Sequence, residues 1–143
     1  MTILSYDNTL EGFFTAVFEI FEYKYQDVSI IGADKAQNVL FAEVITVITN
    51  DEKSDRVLAR LEKQLGKEGV RQILYAFLSE TEDAENILFR AIKYAVDNSG
   101  KNVFADFSNP DVLKISKLVK SAGREKHRME AFIRFELLKI KNG

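Results

Sequence analysis

The chain has no cysteine. That single absence removes disulfides, thiol nucleophiles, iron–sulfur clusters and cysteine-based zinc sites. Histidine occurs once, at His127, and one imidazole cannot build a histidine-rich zinc or non-haem iron site. No apolar stretch reaches membrane-spanning length, and no basic-then-apolar leader opens the chain, so the sequence predicts neither a membrane span nor a signal peptide. A cytoplasmic protein with no membrane partner is the expectation. The phosphate cradles G-x-x-x-x-G-K-[ST] and G-x-G-x-x-G are missing, as is the nucleophile elbow G-x-S-x-G. A Ser-His-Asp arrangement through His127 has no motif behind it, and base-excision or deamination chemistry would need a carboxylate in a pocket that the sequence does not name. No cofactor is expected.

What is present is enough for a sizeable core. At 143 residues and 46% hydrophobic content, the chain is expected to form one domain, residues 1–143. Its formal net charge of −2 hides a division. Residues 1–100 carry 10 Lys/Arg against 17 Asp/Glu; residues 101–143 carry 10 against 5, a balance of +5. Such a split predicts either a directional surface whose basic part meets phosphate or an acidic partner, or two halves that attract each other.

Along the chain, Thr2–Tyr6 alternates as a strand. Asn8, with Glu11 three residues on, predicts a capped helix running to about Lys24, whose Phe13, Phe14, Val17, Phe18 and Phe21 belong in a core. Base stacking is the alternative role for those rings. Val28–Ile31 predicts a short strand, 32–38 a polar turn, and Val39–Thr49 the best strand of the sequence. Glu43 interrupts that strand, either as an outward-facing residue or as a catalytic carboxylate. A second capping box, Thr49–Glu52, opens a helix to about Leu65. Gly66 and Gly69 punctuate, Val70–Leu78 is helical, and Ser79–Glu82 caps a helix to about Asp97. The acids Glu80, Glu82 and Asp83 suit that helix start electrostatically and are the candidate metal ligands, although their spacing matches no EF-hand loop. Val103–Phe107 predicts an extended piece. Asn109-Pro110 starts a helix whose Val112, Ile115, Leu118 and Val119 face inward, with Lys114, Lys117 and Lys120 recurring on another side.

The most distinctive stretch follows: Gly123-Arg-Glu-Lys-His-Arg-Met-Glu-Ala-Phe-Ile-Arg-Phe135. As a helix it sends Met129, Phe132, Ile133, Leu137 and Ile140 to one face. Arg124, His127, Arg128 and Arg134 gather opposite, with Ala131, Phe135 and Leu138 between. A solvated helix more commonly mixes its signs. Arginine forks match phosphate oxygens, protonated histidine adds a donor, and Phe135 could stack on an unpaired base. Two readings compete with phosphate binding: ion pairs between these arginines and acids of the N-terminal region, and a catalytic His127.

Tyr6-Asp7, Gly12-Phe13, Thr15–Glu19, Phe41–Val44, Ala76–Glu80, Pro110-Asp111-Val112 and the block Gly123–Phe135 together resemble a bacterial family of unknown function described as probable DNA metabolism proteins. The blocks run in order over nearly the whole chain. The resemblance implies a role in DNA repair or modification, beside a companion radical-SAM protein and in some members a fused uracil-DNA glycosylase domain. It carries no established catalytic residues. The family pattern continues past the basic helix, and the chain finishes on Asn142-Gly143, a hairpin signal with no second strand. Both predict the N-terminal and central part of a longer domain.

The resulting expectation is an α+β fold dominated by about six helices with a small sheet. Its leading function is a nucleic-acid-associated accessory domain that grips the phosphate backbone through Lys114, Lys117, Lys120, Arg124, His127, Arg128, Arg134 and Phe135. The alternatives are a module that docks a partner enzyme through Phe135 and Leu138, or an enzyme on DNA bases using His127 or Glu43.

Overall fold

Thr2–Tyr6 forms strand β1, buried along almost its whole length. The structure is a computed structural model that describes residues 1–36, 39–40, 42–121 and 126–142, with side chains at 126–129 and 139–142 left aside. β1 is the centre of a three-stranded sheet, order β2-β1-β3, with β2 at Val28–Gly32 and β3 at Glu43–Thr46. Both pairings are parallel. Six α-helices lie among the described residues: α1 Leu10–Tyr23, α2 Ala33–Ala36, α3 Asp51–Leu78, α4 Ala84–Asp97, α5 Pro110–Lys120 and α6 Lys126–Asn142. The fold is α+β and helix-dominated, as the sequence predicts.

The chain divides into two compact units, Met1–Leu58 and Ala59–Gly143. In the first, Phe13 and Phe14 of α1 are fully buried. Their rings sit 5.4 Å apart, and Tyr6 meets Phe13 edge-on at 6.1 Å. Core packing therefore accounts for these rings, whereas Phe21 is 37% exposed. In the second unit, Ile73, Leu74, Leu88, Ile92, Ile115 and Ile133 are fully buried. α4 carries α5: Arg90 holds Asp111 through Nε and Nη2 at 3.1–3.2 Å.

Several local expectations change. The cap of α1 is Thr9, not Asn8. Asn8 sits at φ 67 and turns the chain, while Thr9 is extended, and its hydroxyl accepts the Gly12 N–H at 2.9 Å. Asn50, not Thr49, caps α3, accepting the Lys53 N–H at 3.0 Å. The long strand expected over 39–49 shrinks to four residues. Among the described residues its ladder partner is the five-residue β1, which pairs with it over Thr2–Ser5. As an edge strand it leaves Val44 40% exposed, and beyond its end Ile48 is 81% exposed. The turn expected from 32 contains the short helix α2, and the piece at Val103–Ala105 is a 3-10 turn. Before α4, Asp83 stands at φ 63 with no side-chain cap, and the hydroxyls of Ser79 and Thr81 bond each other instead. Asn142 is the last residue of α6 rather than the first of a hairpin.

Asp51 to Leu78 reads as one long helix, yet Gly66 breaks it at φ 73, ψ 178. That backbone region is essentially reserved for glycine. No helix among the described residues is long and apolar enough to cross a membrane.

Candidate functional site

The middle of α6 is organised by where its two acids go. Ile133 is fully buried and marks the helix's inward face. Glu130 and Glu136 stand three residues to either side, so helical periodicity turns both toward that face. Glu136 is 4% exposed. Glu130 accepts hydrogen bonds from the Arg71 guanidinium and the Tyr75 hydroxyl, both on the C-terminal half of α3. The Arg71 hydrogen bond foremost, then that of Tyr75, holds the Glu130 carboxyl below its ordinary range. Burial and the adjacent carboxylate push the Tyr75 phenol up. Arg71 also lies over the Tyr75 ring, 5.7 Å from its centroid. The sequence reading missed this cluster because its members are more than fifty positions apart. The spacing of Arg71 and Tyr75, one helical turn apart, was the only local signal.

Over residues 130–138, the described side chains that α6 exposes are one cation and apolar groups. The Arg134 side chain is 77% exposed. It stands 3.8 Å from Glu130 of its own helix. Phe135 and Leu138 are 58% and 55% exposed. Phe132, expected in the core, is 39% exposed. It lies about 100° round the helix from Ile133, at the margin of the buried stripe and one turn before Glu136. His127 and Arg128 stand in the first turn of α6, with side chains outside the described set, and Arg124 lies outside the described residues altogether.

On α5, Lys114, Lys117 and Lys120 are all exposed, while Val112 and Ile115 are buried and Leu118 and Val119 half-buried. Lys117 and Lys120 fall in the last turn, where cations complement the helix dipole without any ligand. Glu43 opens β3 and is exposed. Glu80, Glu82 and Asp83 are exposed, and among the described residues no three of His, Cys, Asp and Glu come together to hold a metal ion.

A second polar cluster, also missed, ties the first unit together at the carboxyl ends of its strands. Asp7, just after β1, accepts the Thr9 N–H at 3.1 Å and the Thr49 hydroxyl at 2.7 Å. Burial works against its charge, but the Thr9 and Thr49 bonds outweigh it and hold the carboxyl low. The backbone of α1 passes so close that a Cβ on Gly12 would stand 2.1 Å from Asp7 Oδ1. Thr15, buried on α1, accepts the Asn50 N–H at 3.1 Å. Asp7 thus fastens the start of α1 to the segment leading into α3.

No curated protein and no solved structure matches the chain. Of the blocks that carry the sequence resemblance, Pro110–Val112 and Gly123–Phe135 lie in the part that a family model does match, and the earlier ones lie outside it. Residues 82–143, from the turn before α4 through α6, match the model of a family described as a domain of unknown function (DUF4130).

Proposed function

We propose that this protein is a nucleic-acid-associated accessory domain of a DNA repair or modification system, and that α6 with the α5 lysines holds the phosphate backbone. The observation that carries the reading is the sorting of charge on α6. Over residues 130–138, Glu130 is bound to Arg71 and Tyr75 and Glu136 is buried, so among the described side chains the exposed charge is that of Arg134. Arginine presents a planar fork of donors that never deprotonates, which suits phosphate oxygens. The +5 balance of residues 101–143 supplies the surrounding field. A companion radical-SAM protein or a uracil-DNA glycosylase domain is the partner that the sequence resemblance suggests.

A second reading has its own support in the exposed Phe135 and Leu138. Apolar side chains on a solvent face also suit docking to a partner enzyme. The two readings separate on salt. Fluorescence anisotropy with labelled DNA should show binding at low salt that weakens by orders of magnitude toward physiological salt, as counterion release requires. Absence of binding at low salt would leave the docking reading in possession of the helix.

A further inference from the structure

A parallel sheet is ordinarily covered by the helices of its own crossovers. Here the two edge strands differ: no residue of β2 is exposed, whereas three of the four residues of β3 are. Apolar side chains are among them, Val44 at 40% exposure and Ile48, just past the strand, at 81%. The Val47 N–H donates to the Ser5 carbonyl at 2.8 Å, and Ser5 stands opposite Thr46 in the ladder. Successive residues of a strand direct their N–H and C=O to opposite sides. Val47 and Ile45 therefore address β1, and the N–H and C=O groups of Val44 and Thr46 point to the open edge. Among the described residues nothing pairs with those four groups. An apolar edge with an unpaired ladder is a template for one kind of object, an extended strand.

We propose that β3 pairs antiparallel with β3 of a second copy of the chain across a two-fold axis, joining the two sheets into one. This is independent of α6 and goes beyond nucleic-acid binding. The argument for a second copy is that β3 is complementary to itself. With Ile45 beside Ile45 of the second copy on the axis, Val44 stands opposite Thr46 and Thr46 opposite Val44. All four outward groups of each strand then find partners, as in the hydrogen-bonded pairs of an antiparallel ladder. Glu43, the charge on this edge, falls opposite the uncharged Val47 rather than its own copy, so no like charges meet. An axis through Val44 or Thr46 would instead set the other residue against a position outside the strand. Because β2 exposes no residue at the far edge of the sheet, the assembly closes at two copies.

Analytical ultracentrifugation of the full chain at micromolar concentration and above should show a monomer–dimer equilibrium. Thr46→Pro removes a donor aimed at the open edge and spares the ladder to β1, the setting in which edge strands tolerate proline. It should weaken dimerisation by about tenfold or more, since the two-fold axis repeats each lost hydrogen bond. Val44→Lys, a charge of the kind that guards natural edges, should weaken it by a different route. Far-ultraviolet circular dichroism of both variants should match wild type. The chain has no cysteine, so a single introduced one reports the register. Ile45→Cys should form an intermolecular disulfide on mild oxidation, because facing residues of a non-hydrogen-bonded pair lie about 4.5 Å apart at Cα. Glu43→Cys should not, its two copies standing about 13 Å apart along the strands, beyond disulfide reach. If Thr46→Pro does not fold, Val44→Lys and the two cysteine variants decide the question. A wild type that stays monomeric would overturn the proposal and leave the edge to an extended segment of another protein. Dimerisation undiminished in a folded Thr46→Pro would also overturn it, placing the contact on side chains elsewhere. So would cross-linking through Glu43→Cys rather than Ile45→Cys.

Discussion

Glu130 sits where helix geometry and charge meet. Held by Arg71 and Tyr75, it anchors the middle of α6 to the C-terminal half of α3, and it also stands 3.8 Å from Arg134. The side chains of Glu130 and Arg71 are 18% and 27% exposed, so the pair is neither a screened surface bridge nor a fully desolvated one. Glu130→Gln keeps the shape, removes the charge and should destabilise the protein by about 1.5–3 kcal/mol, the usual worth of a hydrogen bond to a charged partner. Urea unfolding measures it. The pH dependence follows from the direction of the shift. A carboxyl held below its ordinary value of 4.5 contributes stability that is fully present above that value and is lost as pH falls through the folded pKa. Tyr75, pushed above its ordinary 10.0, contributes stability that is present below pH 10 and is lost as pH rises through its folded pKa. Wild type should therefore lose stability on acidification below about pH 4.5 more steeply than Glu130→Gln, in which the group cannot titrate.

Among the elements, legibility tracked how local the determinant was. Asn109-Pro110 was readable because cap and first-turn proline are adjacent, and Asn109 does accept the N–H groups of Asp111 and Val112 at 2.9 and 3.1 Å. Asn109→Ala should cost about 1 kcal/mol, seen as a lower melting temperature. The strand at 43–46 was over-read because its length is fixed by β1, which no property of the segment itself records. Thr9 displaced Asn8 as a cap for a similar reason. Which of two adjacent capping residues turns the chain depends on Asp7, and Asp7 in turn on Thr49, forty-two positions away. Gly66 was read correctly as punctuation, but its backbone angles show a sharper constraint than a gap between helices. A Cβ there meets no atom within 4 Å, so Gly66→Ala isolates backbone strain from crowding. It should destabilise by about 1–3 kcal/mol in the same assay.

At the scale of the whole chain, the imbalance between residues 1–100 and 101–143 was plain in the sequence. The way Glu130 and Glu136 are drawn off the exposed side of residues 130–138 was not. That depended on Arg71 and Tyr75 meeting Glu130, and on Ile133 fixing which side of the helix turns inward. The inward–outward assignment went wrong at Phe132 and missed Glu136 for the same reason: periodicity gives a face but not its width. Under the proposed function, this C-terminal region holds nucleic-acid phosphates through its arginines. The most direct test is the salt dependence of DNA affinity for wild type, Arg134→Ala and the double variant Arg124→Ala/Arg128→Ala. A plot of log affinity against log salt should be steeply negative for wild type. Each arginine removed should shrink its slope by about 0.7 on a single strand or 0.9 on a duplex. Slopes that stay unchanged in both variants, or DNA binding insensitive to salt, would contradict it.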